Sequence, residues 1–218
     1  MQQISQQLQH ARAALATVAG SNAALEARVL AQHAWGLSAE ELLREDTSAR
    51  DEAPLRQLVE RRAAAEPVAQ ILGYKDFWRD RFAVSRDVLT PRADSETIIE
   101  TLLRLRADKN AALRLLDLGT GSGCLLLSAL REYVNAIGVG VDQSEAALAI
   151  ATQNAAALQL QERATLMRGS WCSNLGSETF DVVLANPPRM RGHLFGVSAS
   201  SYAPGYGVDL MLAEASFA

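Results

Sequence analysis

Residues 117–123, which read DLGTGSG, decide the fold class of this 218-residue chain. They follow the apolar segment 113–118 and precede a segment, 122–133, whose Leu and Ala residues recur at helical spacing. A glycine-rich turn between a buried strand and a helix lies at the carboxyl edge of a parallel sheet, where doubly wound α/β folds bind ligands. Glycines there let the backbone approach a ligand without side-chain obstruction. The stretch therefore predicts a nucleotide-like cofactor at this turn.

The spacing of the glycines narrows the choice of cofactor. A dinucleotide fingerprint would place its third glycine at position 124, where this chain has Cys124. No lysine follows the glycines, so a Walker-type phosphate loop is not supported. Gly-x-Gly-x-Gly after an acidic residue favours S-adenosylmethionine, with Gly119, Thr120, Gly121 and Gly123 as its backbone contacts. Binding of another nucleotide, or a purely structural turn, remains an alternative for the turn taken alone.

Three side chains near the predicted strand ends suit the same cofactor. Asp117 ends the first strand, where its carboxylate would lie near the positively charged methionine end of the cofactor. Asp142 ends the second strand, 136–141, where it can accept hydrogen bonds from both ribose hydroxyls. Trp171 follows the third strand and could cover one face of the adenine, although packing within the protein would also account for it.

The tripeptide Asn186-Pro187-Pro188 marks the predicted reaction site. It directly follows the apolar segment 180–185, so Asn186 is expected at the same sheet edge as the glycine turn and beside the cofactor. An amide or aromatic amino nitrogen is a poor nucleophile because its lone pair is delocalised. The Asn186 oxygen and the Pro187 carbonyl could each accept one N–H of such a nitrogen, while Pro188 stiffens the corner. The alternative is a stiff turn that merely ends a strand.

The remaining sequence predicts two further regions before this domain. Leu, Ala and Val recur at helical spacing from residue 4 to about 65, which predicts a bundle of four or five short helices in a domain of residues 1–66. The pattern of residues 67–92 predicts a β-hairpin linker. A helix is expected at about 94–106. Residues 93–218 then alternate strands with helices, which predicts a parallel sheet with helices on both faces, expected to be incomplete at the C-terminus. The remaining predicted elements are strands at 113–118, 136–141, 164–167 and 180–185 and helices at 122–133 and 144–158.

Composition limits the classes of partner. The net charge is −4, which lacks the basic footprint of a protein that grips phosphate backbones, so direct nucleic-acid binding is not expected. The two cysteines, Cys124 and Cys172, have neither metal-ligand nor disulfide-framework spacing, so no metal site is predicted and a reducing cytoplasm is the expected compartment. No segment approaches the length of an apolar membrane span, and no membrane association is expected.

Several segments resemble one known family. They are EPVA at 66–69, FW at 77–78, LTPRADSE at 89–96, and the Asn-Pro-Pro tripeptide. Together they are similar to the PrmC/HemK release-factor glutamine methyltransferases, whose linker carries an Ile-Pro-Arg-Pro-Asp-Thr-Glu signature. The resemblance implies an α/β fold: a Rossmann-like class I S-adenosylmethionine-dependent methyltransferase domain preceded by a small all-α bundle and a β-hairpin linker.

The resemblance also implies a function. It implies methyl transfer to the side-chain amide nitrogen of the glutamine in the Gly-Gly-Gln motif of peptide-chain release factors, with Asn186 and Pro187 holding that amide. The N-terminal bundle would help to recognise the release factor. The chain departs from the family at Arg189, where an aromatic residue usually follows Asn-Pro-Pro. Two alternatives remain: a nucleic-acid adenine amino-methyltransferase, and a catalytically impaired protein that keeps the fold and binds the cofactor or a partner.

Overall fold

The structure is a computed structural model that describes residues 2–18, 20–44, 48–172, 175, 178–186 and 215–216. The chain divides into two compact units, Met1–Gly73 and Tyr74–Ala218. Each unit has its own hydrophobic core, as expected for separate folding units. Among the described residues, no helix has the length and apolar character needed to cross a lipid bilayer.

The first unit is a helical bundle, as the periodicity predicts. Its apolar positions recur on one side of each helix, so that Ile4, Leu15, Leu30 and Leu55 meet in one buried cluster. Helix α2 begins after Asn22, whose side chain accepts a hydrogen bond from a backbone N–H of the first turn. The elements are β1 (Gln2–Gln3), α1 (Ile4–Leu15), α2 (Ala23–Trp35), α3 (Ala39–Arg44), β2 (Ala49–Arg50), α4 (Ala53–Ala63) and α5 (Val68–Leu72), with β1 and β2 paired antiparallel.

Helix α5 corrects one expectation. The pattern of residues 67–92 predicts a hairpin, but Val68–Leu72 is helical and only a later part of the segment forms paired strands. Val68, Ile71 and Leu72 are spaced i, i+3, i+4, which suits one helical face, and all three pack in the bundle core. Gly73 ends the helix in the left-handed conformation, with φ of 80°, a common helix terminus.

The second unit begins with the hairpin itself. Strands β3 (Tyr74–Phe77) and β4 (Asp80–Ala83) pair antiparallel, and Phe77 and Phe82 pack edge to face in the core. The backbone N–H of Trp78 in the turn donates to Glu96 Oε1 at 2.9 Å, and its indole N–H donates to Glu132 Oε1 at 2.9 Å. The turn is therefore tied to the helices that carry these two glutamates.

A parallel sheet forms the centre of this unit. Within the described residues its strand order is β7-β6-β5-β9, and all neighbouring pairs are parallel. The remaining elements are the 3-10 turn η1 (Ala93–Ser95), α6 (Glu96–Leu105), β5 (Arg114–Leu118), α7 (Cys124–Glu132), β6 (Ile137–Asp142), α8 (Glu145–Ala157), β7 (Ala164–Arg168), β8 (Thr179–Phe180), β9 (Val182–Ala185) and β10 (Ala215–Ser216), with β8 and β10 paired antiparallel.

Within the described residues, helices pack on one face of the sheet, and helices on the other face stay a prediction. Alternate residues of β5 and β9 enter two different clusters, since Leu115 and Val182 belong to one and Leu116 and Val183 to the other. Each of the helices α6, α7 and α8 contributes at least one buried residue to the first cluster. Right-handed crossovers explain this, because β5, β6 and β7 step in one direction and place both connecting helices on the same face. Within the described part of the chain, the opposite cluster contains no helical residue.

Strand β6 lies very close to helix α7. A Cβ built on Gly138 would come within 2.5 Å of Leu126 Cδ1, and one on Gly140 within 3.0 Å of Thr120 Oγ1. Glycine at both positions therefore sets the distance between α7 and the sheet, because any larger residue would overlap side chains already in place.

Candidate active site

The glycine turn and Asn186 open onto one cavity, as the sequence predicts. The order in which strands are added to the sheet reverses at β5, since β6 lies on one side of it and β9 on the other. Leu118 and Ala185 are in register, so the residues that follow them lie side by side at the carboxyl edge. A cavity of about 470 Å³ occupies this edge. The predicted residues that line it are Asp117, Gly119, Thr120, Gly121, Asp142, Trp171 and Asn186.

The glycine turn is held by the neighbouring strand. The backbone N–H groups of Gly119 and Thr120 both donate to the carbonyl of Val141, at 2.8 and 3.0 Å. Gly119 has φ of 73°, and a Cβ added there would meet no atom within 4 Å. The turn thus keeps open space at the cavity wall, where a side chain would take room from a ligand.

Gly123 has a different setting from the other predicted glycines. It is absent from the cavity lining. A Cβ at this position would lie 3.0 Å from Leu127 Cδ1 and 3.3 Å from Ala151 Cβ. The position allows α7 and α8 to pack closely, so its glycine is accounted for by helix packing.

Asp117 is a buried carboxylate at the end of β5, with 1% of its surface exposed. The Thr120 hydroxyl donates to its Oδ2 at 2.7 Å, whereas its Oδ1 has no hydrogen-bond partner among the described residues. Burial raises the pKa of Asp117 to about 6, opposed in part by Thr120 and by the backbone N–H of Leu126, and reinforced by the nearby charge of Asp142. A buried, under-bonded acceptor in a cavity wall suits a cationic or N–H-bearing ligand group.

Asp142 is a carboxylate fixed by backbone donors. Its Oδ2 accepts the N–H of Gly121 and its Oδ1 accepts the N–H of Ser144, both at 2.9 Å. Ser144 in turn caps helix α8, because its Oγ accepts the N–H of Ala147 at 3.2 Å. Each carboxylate oxygen keeps a second lone pair for a ligand hydroxyl.

Trp171 combines the two settings considered for it. It is one of the lining residues of the cavity, and it also packs against the apolar cluster that contains Leu116 and Val183. Its φ of 53° is unusual for a residue with a large side chain. Strained backbone of this kind often occurs at ligand sites, which is consistent with a contact to the adenine. That contact stays a prediction.

Asn186 emerges from β9 with its side-chain amide already engaged. Its Nδ2 donates to Ser95 Oγ at 2.8 Å, which leaves its Oδ1 as the acceptor for a further donor. The other predicted acceptor-site residues, Pro187 and Pro188, lie outside the described residues, as does Arg189.

Linker residues form another part of the cavity wall, which the sequence did not predict. Residues 87–92 and Ser95 line the cavity, and Thr90 Oγ1 is buried there without a hydrogen-bond partner among the described residues. The segment 89–96 carries the resemblance to the family, so its distinctive sequence was the one indication that these residues belong to the site. Spacing along the chain could not show that this linker returns to the carboxyl edge of the sheet.

Two family models match the chain. A model described as the PrmC N-terminal domain matches residues 6–73, and one described as the methyltransferase small domain matches residues 94–199. A solved SAM-dependent methyltransferase from Thiobacillus denitrificans in complex with S-adenosyl-L-homocysteine is 27% identical, with a TM-score of 0.37, over 42% of this chain and 36% of that chain.

Several similar curated proteins share a name. The release factor glutamine methyltransferase of Caulobacter vibrioides is 42% identical over 167 residues, which are 75% of this chain and 57% of that protein. The one of Agrobacterium fabrum is 34% identical over 86% of this chain and 67% of that protein. The chain spans 50% of the Rhodospirillum rubrum relative. With its class I S-adenosylmethionine-dependent methyltransferase fold, preceded by a helical bundle, the chain belongs to the release factor glutamine methyltransferase family.

Proposed function

We propose that this chain binds S-adenosylmethionine in the cavity and methylates the glutamine side-chain amide of the Gly-Gly-Gln motif in peptide-chain release factors. The observation that carries the proposal is the placement of Asn186 beside the glycine turn, on one cavity, in a chain of this family. The relatives' name supplies the substrate, and the cavity supplies a setting suited to the reaction.

The cavity residues fit the cofactor. Asp117 offers its unpartnered Oδ1 to the ammonium group, and its burial from water strengthens that attraction. Asp142 offers remaining lone pairs to the ribose hydroxyls, and Gly119 leaves the space that a ligand needs. Trp171 supplies an aromatic face for the adenine. A cavity of about 470 Å³ also lies within the usual range for small-molecule sites.

The chemistry requires orientation of a weak nucleophile. When bound, S-adenosylmethionine would supply an activated methyl group for transfer to the amide nitrogen, with sulfur as the leaving atom. Asn186 Oδ1 accepts one N–H of the substrate amide, and the backbone carbonyl of Pro187 accepts the other. These two acceptors hold the nitrogen in line with the methyl carbon and favour localisation of its lone pair. The displaced amide proton leaves to water.

The first unit supplies the remaining surface for the protein substrate. We propose that the helical bundle, which extends to Gly73, contributes to recognition of the release factor, and that the hairpin segment after it links it to the methyltransferase domain of residues 93–218. Its match to the PrmC N-terminal domain supports this role. Release factors act on ribosomes, so the enzyme would work in the cytoplasm.

Methyl transfer to a purified release factor tests the proposal. The chain is incubated with methyl-labelled S-adenosylmethionine and either the wild-type release factor or a form whose motif glutamine is replaced by alanine. We expect label on the wild-type factor alone, with mass spectrometry locating one added methyl group on the glutamine of Gly-Gly-Gln. Titration calorimetry with the cofactor measures binding separately from turnover.

Three outcomes would contradict the proposal in different ways. Equal labelling of both release factors would show that the motif glutamine is not the acceptor. Cofactor binding without any transfer would favour the catalytically impaired alternative. Transfer to an adenine-containing oligonucleotide, with salt-sensitive binding, would favour the nucleic-acid methyltransferase.

A further inference from the structure

We propose that Ser95 is a positioning residue that holds the Asn186 side-chain amide in place, with its oxygen free to face the substrate. The inference rests on the proposed function and deepens it, because it assigns a task to a linker residue outside the Asn-Pro-Pro corner. The contact that carries it is the 2.8 Å hydrogen bond from Asn186 Nδ2 to Ser95 Oγ, between residues 91 positions apart. Both residues line the cavity.

The position of Ser95 in its own helix makes this bond notable. Ser95 directly precedes α6 (Glu96–Leu105), where a serine ordinarily accepts a hydrogen bond from a backbone N–H of the first helical turn. Here its side chain makes no such bond. The 3-10 turn Ala93–Ser95 already gives Ser95 helical backbone angles, φ −73° and ψ −13°, which differ from those of a capping residue. The hydroxyl is therefore committed to Asn186 and not to the helix.

The direction of the Asn186 amide decides whether it can hold a substrate. A primary amide has a donor end and an acceptor end of nearly the same shape, and rotation by half a turn exchanges them. If Nδ2 faced the substrate, its N–H groups would oppose the N–H groups of the glutamine amide. With Nδ2 donating to Ser95, Oδ1 remains as the free acceptor. By accepting this bond, Ser95 holds the amide in the orientation that serves the reaction.

Ser95 is itself firmly placed. Its surface is 2% exposed, and its backbone N–H donates to the carbonyl of Arg92 at 3.0 Å. The next residue, Glu96, accepts the backbone N–H of Trp78 in the hairpin turn at 2.9 Å. A buried hydroxyl on a backbone fixed from two sides has little freedom, so it can orient the side chain that it contacts.

Substitution of Ser95 separates orientation from cofactor binding. We expect Ser95→Ala to lower kcat for methyl transfer about 10-fold or more while the Kd for S-adenosylmethionine changes less than about 3-fold. Ser95→Thr retains the hydroxyl and occurs in the family signature, so we expect it to keep kcat within about 3-fold of wild type. If Ser95→Ala proves unstable, Ser95→Cys can take its place, because the thiol fills the space of the hydroxyl but forms only weak hydrogen bonds. We expect Ser95→Cys to lower kcat as Ser95→Ala does.

A matched control is available in helix α7. Ser128 is 0% exposed, lies outside the cavity lining, and its Oγ has no hydrogen-bond partner among the described residues. Ser128→Ala therefore removes a buried serine hydroxyl without touching the amide. We expect its kcat to equal that of wild type. An equal loss in Ser128→Ala and Ser95→Ala would reduce the effect to a general disturbance of the core and overturn the inference.

A spectroscopic measurement tests the inference without any turnover. The side-chain NH₂ signals of Asn186, assigned by their loss in Asn186→Asp, report the hydrogen bond directly. We expect Ser95→Ala to shift them and speed their exchange with water, and Ser95→Thr to preserve them. Unchanged signals in Ser95→Ala would refute the role of Ser95. Failure of the wild-type chain to methylate release factors would instead refute the proposed function alone.

Discussion

The two sides of the cavity use opposite chemistry. The cofactor side, formed by Asp117, Asp142 and the glycine turn, presents carboxylates, whereas the acceptor side, formed by Asn186 and Ser95, presents neutral groups. Charge is thus placed where a cationic ligand group is expected, and a neutral acceptor is placed where a nitrogen lone pair must remain available. Under the proposed function, one side would bind by charge and the other would orient the substrate by hydrogen bonding.

The two sides also differ in how they are assembled. On the cofactor side, Thr120 holds Asp117 from three residues away, and Asp142 holds the turn at the end of the adjacent strand. On the acceptor side, the partner of Asn186 comes from a linker 91 residues earlier. The first side therefore joins residues at neighbouring strand ends, whereas the second depends on a contact between distant parts of the chain.

Removal of the amide should have the largest effect. We expect Asn186→Ala to lower kcat about 100-fold, because the substrate nitrogen loses an acceptor that aligns it with the methyl carbon. The Kd for S-adenosylmethionine should change at most about 3-fold, since the carboxylates remain. Steady-state kinetics together with calorimetry separate these quantities.

An asparagine outside the cavity provides the control for this change. Asn135 is exposed, and its Nδ2 donates to the carbonyl of Asn110 at 2.9 Å. Asn135→Ala should keep wild-type kcat. A large loss of cofactor affinity in Asn186→Ala, with kcat preserved, would erase the distinction between the two sides.

Asp117 should make cofactor binding depend on pH. Because burial raises the pKa of Asp117 to about 6, affinity for the cationic cofactor should rise as the pH increases through 6. Asp117→Asn should weaken binding about 10- to 100-fold at pH 7.5 and remove this rise. Asp142→Asn also weakens binding but keeps Asp117, so the rise near pH 6 should persist. Calorimetry between pH 5 and about 8 checks the profiles.

The same carboxylate should reduce the stability of the ligand-free protein. A folded-state pKa above the unfolded value means that the folded protein holds this proton more tightly, so stability falls as the pH rises from about 4 through 6. At pH 7.5, Asp117→Asn should raise the free energy of unfolding by up to about 3 kcal/mol. At pH 3.5 the gain should vanish, within about 0.5 kcal/mol. A stabilisation independent of pH in denaturant titrations would assign it to another cause.

Gly123 should mark the edge of the cofactor side, with the smallest effect. Gly123→Ala places a methyl group against Leu127 and Ala151 at φ of 78°, so we expect a loss of about 1–2 kcal/mol in unfolding free energy. Affinity for S-adenosylmethionine below the melting range should match wild type. Gly119→Ala is the comparison, because its methyl group would enter open space in the cavity wall. Weaker binding in both variants would extend the cofactor side to Gly123.

The sequence predicted the fold well where hydrophobic patterns are unambiguous. The predicted strands at 113–118 and 136–141 match β5 and β6 closely, because buried parallel strands read as continuous apolar runs. Helix α5 was missed because five residues are too few to distinguish helical from extended spacing. The arrangement of α6, α7 and α8 on one face follows from strand order, which no local pattern records.

The sequence predicted the site residues that lie at the ends of the parallel strands and missed the one that lies outside the sheet. Asp117, Gly121 and Asp142 lie at strand ends, so their convergence follows from the rule that parallel strands share a carboxyl edge. Ser95 could not be placed by that rule, because it lies on a turn outside the sheet. The raised pKa of Asp117 comes from its burial, which is a property of packing.

The close approach of β6 to α7 means that packing between the sheet and this helix affects the surroundings of the Asp117 carboxylate. A methyl group at position 140 would come within 3.0 Å of the hydroxyl of Thr120, which donates a hydrogen bond to the Asp117 carboxylate. One at position 138 would overlap Leu126 Cδ1, in the helix whose backbone lowers the pKa of that carboxyl. Gly138 and Gly140 do not line the cavity, yet the absence of a side chain at each preserves the surroundings of the Asp117 carboxylate.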